Sequence, residues 1–273
     1  MNATHPNRTF SLLLGTGLII LLIMGSAAYR AVLAGCPAGS QMSFTCLFFP
    51  THTDVGVHLL SYVFIGTIVL FAFLSLALWH RQRTKTTSLT RNLALLHAPD
   101  SELESLTRRL GLINKVQLVE FEIPFVFCMG FTSPRIYLSR GVADKLTPQE
   151  LEVLLLHEKH HLENNDPLKI LLGKMFASAL FIFPFLKDIL KRYLIEKEIA
   201  ADYNVSHNQD HRQELAVVLE KLGGGTLDYR LEHLQGHAPR GIYPVSIPHL
   251  AVSFLAMAIA LSTILIPLSG SHP

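Results

Sequence analysis

Three apolar runs, each about 20 residues long, constrain the fold of this chain most strongly. They cover residues 10–28, 59–79 and 250–268, and none of them carries a polar face. Because a helix needs about 20 apolar residues to cross the hydrocarbon core of a bilayer, the runs predict three membrane-spanning helices. The chain contains 49% hydrophobic and only 16% charged residues. This composition is typical of a protein that combines membrane helices with a polar domain.

Basic residues predict the orientation of these helices. Four of them follow the second run closely: Arg81, Arg83, Lys85 and Arg91. The loop between the first two runs contains only Arg30. Since positively charged flanks stay in the cytoplasm, we expect the region after the second run to face the cytoplasm of a bacterial cell. The loop at residues 30–57 then faces outward.

This reasoning divides the chain into three parts. Residues 1–80 are predicted to form two membrane helices, at about 10–28 and 59–79, joined by the outward loop. Residues 81–248 are predicted to form a cytoplasmic domain, and residues 249–273 a C-terminal membrane helix. No basic stripe with interleaved aromatic residues is present, so nucleic-acid binding is not expected.

The cysteines agree with this orientation. Cys36 and Cys46 both lie in the outward loop, where a disulfide between them could persist, and Cys128 is predicted to be a reduced thiol. Residues 33–36 also resemble the cleavage box of a lipoprotein signal peptide. Arg30 interrupts the uncharged region that such a peptide needs, and the segment is long for one, so a membrane helix is preferred.

The cytoplasmic part contains the pattern H-E-x-x-H at residues 157–161. On an α-helix, His157 and His161 lie one turn apart on the same face, so both rings can hold one metal ion. Glu158 lies beside this face, where its carboxylate can take a proton from a water molecule activated by zinc. The pattern predicts one zinc ion per chain, with Glu158 as the general base.

The flanking residues predict that this motif lies on a helix. Thr147 is a good N-cap, Pro148 suits the first helical position, and Glu150 completes a capping box. The turn-forming residues 164–167, Asn-Asn-Asp-Pro, predict its end. This context matters because the chain has 14 histidines, and an accidental match is conceivable.

A catalytic zinc site normally has three protein ligands, and Glu198 is predicted to be the third. Glu198 and Asp202 are four residues apart on one face of a second predicted helix, and Glu196 lies on another face. Asp202 is predicted to accept the N–H of a ligating histidine and to fix its tautomer. Three histidines remain open as substitutes for Glu198: His160, His207 and His211.

Four segments combine into a recognisable pattern: residues 131–139, residues 146–151, the H-E-x-x-H motif followed by Asp166, and Glu198-x-x-x-Asp202. Together they resemble the membrane metallopeptidases of the beta-lactam-sensing antirepressor family and, more distantly, the CAAX-protease-like membrane peptidases. The resemblance covers about residues 80–210. It implies an α+β, gluzincin-type zinc peptidase domain, with His157, His161 and Glu198 as ligands and Glu158 as general base.

One property of that family is not expected here. Its well-known members carry a penicillin-binding sensor after the last membrane helix, whereas this chain ends at Pro273. We therefore expect a signal to enter through the outward loop, the membrane helices, a homodimer or a separate sensor partner. A peptidase also needs a donor to the developing oxyanion, for which Tyr203 and His207 are equal candidates.

A fourth apolar run, residues 168–186, bears on the topology. If it crossed the membrane once, Glu198 would lie on the opposite side from His157 and His161. Lys169 and Lys174 lie within the run, and a charge at the bilayer centre costs about 3 kcal/mol. We therefore predict a helix that does not span the membrane and that either lies in the membrane interface or packs in the enzyme core.

Sheet-forming segments precede the motif helix. Residues 116–122 and 125–131 alternate and are rich in β-branched and aromatic residues, and residues 136–138 are predicted to form a third strand. We expect residues 125–130 to hold a substrate by main-chain pairing, with an ordinary buried sheet as the alternative. Amphipathic helices are predicted at residues 101–110 and 213–222.

These features predict a membrane-anchored zinc endopeptidase. Its expected substrate is a cytoplasmic or membrane-proximal protein, for example a repressor. The alternative is a membrane regulatory or scaffold protein that retains the fold without turnover. The presence of Glu158 favours an enzyme, because an inactive relative has no chemical need for the general base.

Overall fold

The computed structural model describes residues 5–34, 55–96, 100–206, 209–222 and 245–265. The helices are α1 (Pro6–Ala34), α2 (Val55–Leu95), α3 (Ser101–Arg109), α4 (Arg140–Ala143), α5 (Pro148–Glu163), α6 (Asp166–Ala179), α7 (Phe185–Val205), α8 (Gln209–Leu222) and α9 (Ile247–Leu265). The strands are β1 (Val116–Val119), β2 (Val126–Met129) and β3 (Arg135–Ser139). This mostly helical chain with a small sheet agrees with the predicted α+β class.

The chain forms two compact units. The first contains Met1–Phe10, Trp79–Lys174 and Lys191–Pro244. The second contains Ser11–Leu78, Met175–Leu190 and Val245–Pro273.

The first unit is built on a three-stranded sheet in the order β1-β3-β2. Strand β1 is parallel to β3, with Val116 opposite Ile136, and β2 is antiparallel to β3, with Val126 opposite Leu138. The chain turns between β2 and β3 at Gly130, whose φ of 116° is strained for other residues. Among the described residues β2 pairs with β3 alone, so it lies at one edge of the sheet.

Helices α3, α5 and α8 pack with this sheet around one apolar core. The core consists of buried aliphatic side chains: Leu103, Leu106, Leu112, Leu118, Ile136, Leu138, Val142, Leu146, Leu151, Leu154, Leu155 and Val218. Burying each Leu, Ile or Val contributes roughly 1.5–3 kcal/mol. Helix α5 therefore lies firmly against the sheet, and the histidines it carries have a rigid support.

The ends of α5 follow the local signals in the sequence. The Thr147 side chain accepts from the Glu150 N–H, and Glu150 accepts from the Thr147 N–H at 2.8 Å, which completes the predicted capping box. The helix ends at Glu163, with Asn164 as its C-cap. Asn165 follows with a φ of 52°, a left-handed conformation that Asn tolerates better than most residues. This turn places Asp166 at the start of α6.

The apolar run 168–186 is divided between two helices and does not form the single helix that we predicted. Helix α6 ends at Ala179, and α7 begins at Phe185, directly after Pro184. With 14 residues, α6 is about 21 Å long, shorter than the hydrocarbon core of a bilayer. Tyr193 of α7 contacts Asp166 at the start of α6, so the chain reverses direction between the two helices.

The second unit contains the apolar segments of α1, α2 and α9. Phe176 packs there against both Gly17 and Phe71; a Cβ atom at Gly17 would lie 2.3 Å from the Phe176 ring, so a larger residue would force the ring to move. The carboxylate of Asp188 accepts from the Ser246 N–H at 3.1 Å and pairs with His249 Nδ1 at 2.7 Å, which fixes the start of α9.

Two helical segments in the described residues are long and apolar enough to cross a membrane, Pro6–Ala27 and Ile65–Leu93. The segment Ile247–Ser262 is apolar but shorter. Large apolar side chains are exposed on all three helices, including Leu22 on α1, Phe73 on α2 and Phe254 on α9. Helices α1 and α2 extend beyond the predicted runs at both ends.

Candidate metal centre

Helix α5 places His157 and His161 side by side. Their ring centroids are 4.8 Å apart, and the rings meet edge to face. The two Nε2 atoms are 3.1 Å apart. Both residues are buried, so the two nitrogens converge on one small protected volume.

Helix α7 brings Glu198 to the same point. Its Oε2 atom lies 3.4 Å from His157 Nε2 and 3.6 Å from His161 Nε2. Among the described residues, these three form the one group of three or more His, Cys, Asp or Glu side chains close enough to hold a metal ion, with donor atoms within 4.8 Å of one another.

The spacing of the three donor atoms fits zinc. Zinc bonds His nitrogen and carboxylate oxygen at about 2.0–2.1 Å, so neighbouring ligands of a tetrahedral site are about 3.3 Å apart. The observed separations of 3.1, 3.4 and 3.6 Å agree with that value.

Two buried aspartates orient the histidine rings. Asp202 Oδ1 lies 2.9 Å from His157 Nδ1, and Asp166 Oδ2 lies 2.7 Å from His161 Nδ1. Since a carboxylate can only accept, each Nδ1 carries a proton, and each Nε2 is the nitrogen that can bind a metal ion. The two Nε2 atoms are 3.1 Å apart, and a proton or a metal ion between them removes the repulsion of their lone pairs.

The electrostatics of the metal-free protein point the same way. Burial alone would lower the pKa of His161, but the carboxylates of Asp166 and Glu198 outweigh it and raise the pKa to about 9. Burial alone would raise the pKa of Glu198, yet hydrogen bonds with His157 and His161 bring it well below its ordinary value. The cluster therefore stabilises positive charge at the point where the three donor atoms meet.

Lys197 forms an ion pair with Oε1, the second carboxylate oxygen of Glu198. Its Nζ atom donates to Glu198 Oε1, and the lysine side chain is only 11% exposed. Because Oε1 is engaged in this way, Oε2 is the oxygen that remains directed at the histidines. The contact favours binding of a metal ion through one carboxylate oxygen.

Glu158 lines a cavity of about 310 Å³ together with His157, His161 and Glu198. Its carboxylate makes no hydrogen bond or ion pair with any residue that the structure describes. A carboxylate beside a metal cluster and unengaged in this way is positioned to exchange a proton with a molecule in the cavity.

Strand β2 forms one wall of this cavity, through Val126, Phe127 and Cys128. The Ser139 N–H donates to the Phe125 carbonyl, so the main-chain groups of Phe125 point toward β3. Because main-chain groups alternate in direction along a strand, those of Val126 and Cys128 point away from β3, toward the other edge of β2. Cys128 is a free thiol whose pKa burial raises to about 12, with help from Glu158 and Asp166. The thiol therefore stays neutral.

The remaining predicted site residues either do not belong to the group of three donors or lie outside the described residues. His160 and His211 are not among the three grouped donors, and Tyr203 is not among the residues that line the cavity. His207, Cys36 and Cys46 lie outside the described residues. Glu196 faces away from the histidines and pairs with Arg192 at 2.8 Å.

Sequence reasoning missed three contributors. The sequence assigned no role to Asp166. Its position directly after two asparagines that end a helix is nevertheless a signal that the chain turns there and could return Asp166 to the preceding helix. Tyr193 donates its hydroxyl proton to Asp166 Oδ1 at 3.1 Å, and this contact joins residues 27 positions apart. Lys197 carries no local signal that distinguishes it from a solvated lysine beside Glu198.

The site and its support define a class of protein: a peptidase-type metal centre on two helices, beside an edge strand, in a chain with helices apolar enough for a membrane. The sequence model of the BlaR1 peptidase M56 family matches residues 46–225, about two thirds of the chain. The chain belongs to this family.

Two curated relatives match over a shorter stretch. Protease HtpX homolog 2 of Methanosarcina acetivorans is 29% identical over 69 residues, and Protease HtpX homolog 2 of Methanosarcina mazei is 30% identical over 69 residues. Each alignment covers 24% of this chain and 24% of the relative. The chain thus spans about a quarter of the length of these relatives. The names of these relatives agree with the peptidase family that the sequence model identifies.

Proposed function

We propose that this protein is an integral-membrane, zinc-dependent metalloendopeptidase of the gluzincin type. One observation carries the proposal: His157 Nε2, His161 Nε2 and Glu198 Oε2 meet at the spacing of a tetrahedral zinc site. The adjacent carboxylate of Glu158 is buried and unengaged by the described residues, which suits a general base better than a structural residue.

When bound at these three residues, zinc supplies Lewis acidity, which activates a water molecule and polarises a substrate carbonyl group. Glu158 accepts the proton of the attacking water and later returns it to the leaving amine. Asp202 and Asp166 hold the two imidazole rings so that both Nε2 atoms face the cavity. Tyr203 and His207 remain the proposed donors to the oxyanion.

The substrate is proposed to bind along β2. The edge of this strand that is unpaired in the described part of the chain presents main-chain groups of Val126 and Cys128 next to the cavity. An extended peptide can add to such an edge through main-chain hydrogen bonds, which hold a peptide bond near the metal centre regardless of side-chain identity. This mode suits an endopeptidase that cleaves an extended segment of a protein.

We place the enzyme in the bacterial cytoplasmic membrane, with residues 81–248 in the cytoplasm. The basic residues after the second apolar run support this orientation, and the convergence of α5 and α7 on one site requires that both lie on the same side. The proposed substrate is a cytoplasmic or membrane-proximal protein such as a repressor, and the proposed role is regulatory proteolysis. A homodimer or a separate sensor is the proposed source of the signal.

Zinc analysis combined with a cleavage assay tests this function. We expect about one zinc per purified wild-type chain, a sharp loss in His161→Ala and Glu198→Ala, and full retention in Glu158→Gln. Cleavage of casein, or self-cleavage, should occur with wild type and be abolished in Glu158→Gln. Zinc binding without cleavage of any protein would favour the scaffold alternative. Zinc retained fully in Glu198→Ala would show that the third ligand lies elsewhere.

A further inference from the structure

The first turn of α1 belongs to the unit that holds the metal centre. Residues Met1–Phe10 group with the first unit, although the apolar remainder of α1 groups with the second. Three contacts anchor this turn to α6 and α7. Lys169 donates to Asn7 Oδ1 at 2.7 Å, Thr9 donates to the carboxylate of Glu196, and Phe10 packs on Tyr193.

Phe10 and Tyr193 form the most informative of these contacts. Their ring centroids are 5.3 Å apart at an interplanar angle of 41°, within the range of a favourable aromatic pair. The ammonium group of Lys169 lies 6.0 Å from the Phe10 centroid, at the limit of a cation–π contact. The Tyr193 ring is therefore held from one side by the first turn of α1.

Tyr193 leads from this contact to the metal cluster. It is 1% exposed, and its hydroxyl group donates to Asp166 Oδ1 at 3.1 Å. The other oxygen of Asp166 accepts from His161 Nδ1 at 2.7 Å. A continuous series of contacts thus runs from Phe10 through Tyr193 and Asp166 to a metal-ligating imidazole.

From these contacts we propose that Tyr193 is a positioning residue for His161, acting through Asp166, and that the first turn of α1 holds Tyr193 in place. This inference rests on the proposed function, because it assumes that His161 binds zinc. If the inference holds, the affinity of the site for metal depends on the position of the first turn of α1. The start of α1 and the metal centre would then be coupled through Tyr193 and Asp166.

The partners that hold a metal-ligating histidine typically change metal affinity by 10–100-fold when they are removed. Tyr193 acts one residue further out, so we expect Tyr193→Phe to weaken zinc binding by roughly 5-fold. This substitution keeps the ring that packs on Phe10 and removes only the hydroxyl group. Phe10→Ala, which leaves the hydroxyl group in place, should weaken zinc binding by a similar or smaller factor.

A chelator competition with the full-length protein in detergent measures these affinities directly, without a substrate. Tyr29→Phe and Leu12→Ala are matched controls, because both residues lie exposed on α1. Both controls should bind zinc as wild type does. Thermal melting of the metal-free variants separates a loss of positioning from a general loss of folding.

A double-mutant cycle makes the test specific. If Tyr193 acts through Asp166, Tyr193→Phe should have no further effect on zinc affinity in an Asp166→Asn background. Additive effects, or wild-type affinity in both Tyr193→Phe and Phe10→Ala, would overturn the inference while leaving the zinc site intact. A wild-type chain that binds no zinc would overturn the proposed function, and this inference with it.

Discussion

At the scale of single residues, a neighbouring side chain holds each proposed metal ligand in place. Sequence spacing predicts one of these three neighbours but not the other two. His157 relies on Asp202, which is fully buried, and His161 relies on Asp166. Glu198 relies on Lys197, which occupies its second oxygen. The prediction of Asp202 followed from the regular geometry of one helix. Asp166 and Lys197 could not be assigned in this way, because a turn and a buried ion pair determine their positions.

The substitution Asp202→Asn tests this support at one residue. The amide keeps the size of the side chain but loses the charge and one acceptor oxygen, so His157 should lose its fixed tautomer. We expect a 10–100-fold loss of zinc affinity in a chelator competition. Asp144→Asn, on an exposed aspartate, is the control and should bind as wild type does. Unchanged affinity in Asp202→Asn would show that the ring is held by packing alone.

At the scale of elements, α5 was predicted from its first residue to its last because its signals are local. Thr147, Pro148 and Glu150 define its start, and the Asn pair defines its end. The division of residues 168–186 into α6 and α7 was not predicted, since a continuous apolar run contains few boundary signals besides Pro184. The pairing order of the strands and the docking of Phe10 on Tyr193 depend on contacts distant in sequence, which periodicity does not encode.

The start of α5 provides a prediction about stability. Glu150 closes the capping box and also pairs with Lys221 of α8 at 2.7 Å. Removing it in Glu150→Ala should destabilise the fold by about 1–2 kcal/mol, which thermal melting measures. Glu163→Ala, on an exposed glutamate at the other end of α5, should change the melting temperature far less.

The contribution of the Glu150–Lys221 pair to stability depends on pH. Hydrogen bonds from Lys221 and Thr147 lower the pKa of Glu150 below its ordinary value of 4.5. A group whose pKa is lowered by folding stabilises the protein above its unfolded pKa, and this contribution is lost as the pH falls. The difference in melting temperature between wild type and Glu150→Ala should therefore be full at pH 7 and shrink below about pH 4.5. A difference that persists at lower pH would mean that lost packing dominates.

At the scale of the whole molecule, the proposed topology places both helices of the metal centre on the cytoplasmic side. Cysteine labelling in intact and permeabilised cells tests this, in a chain whose native Cys36, Cys46 and Cys128 are replaced by Ser. Lys145→Cys and Gln213→Cys, both at exposed positions, should be labelled only after permeabilisation. Ser40→Cys, in the predicted outward loop, is the control and should be labelled in intact cells. Labelling of Gln213→Cys alone in intact cells would show that the chain crosses the membrane between α5 and α8.

The separation of Glu198 from His161 by 37 positions has a consequence for folding as well as for chemistry. An ion shared by α5 and α7 would act as a reversible cross-link that closes the loop between His161 and Glu198, which contains α6 and more than half of α7. For a covalent link across a loop of that length, the chain-entropy relation gives about 4 kcal/mol. Because only the folded chain offers all three donors, the concentration of free zinc would enter the folding equilibrium by mass action. The abundance of the folded enzyme in the cell would then follow metal supply before any substrate is present.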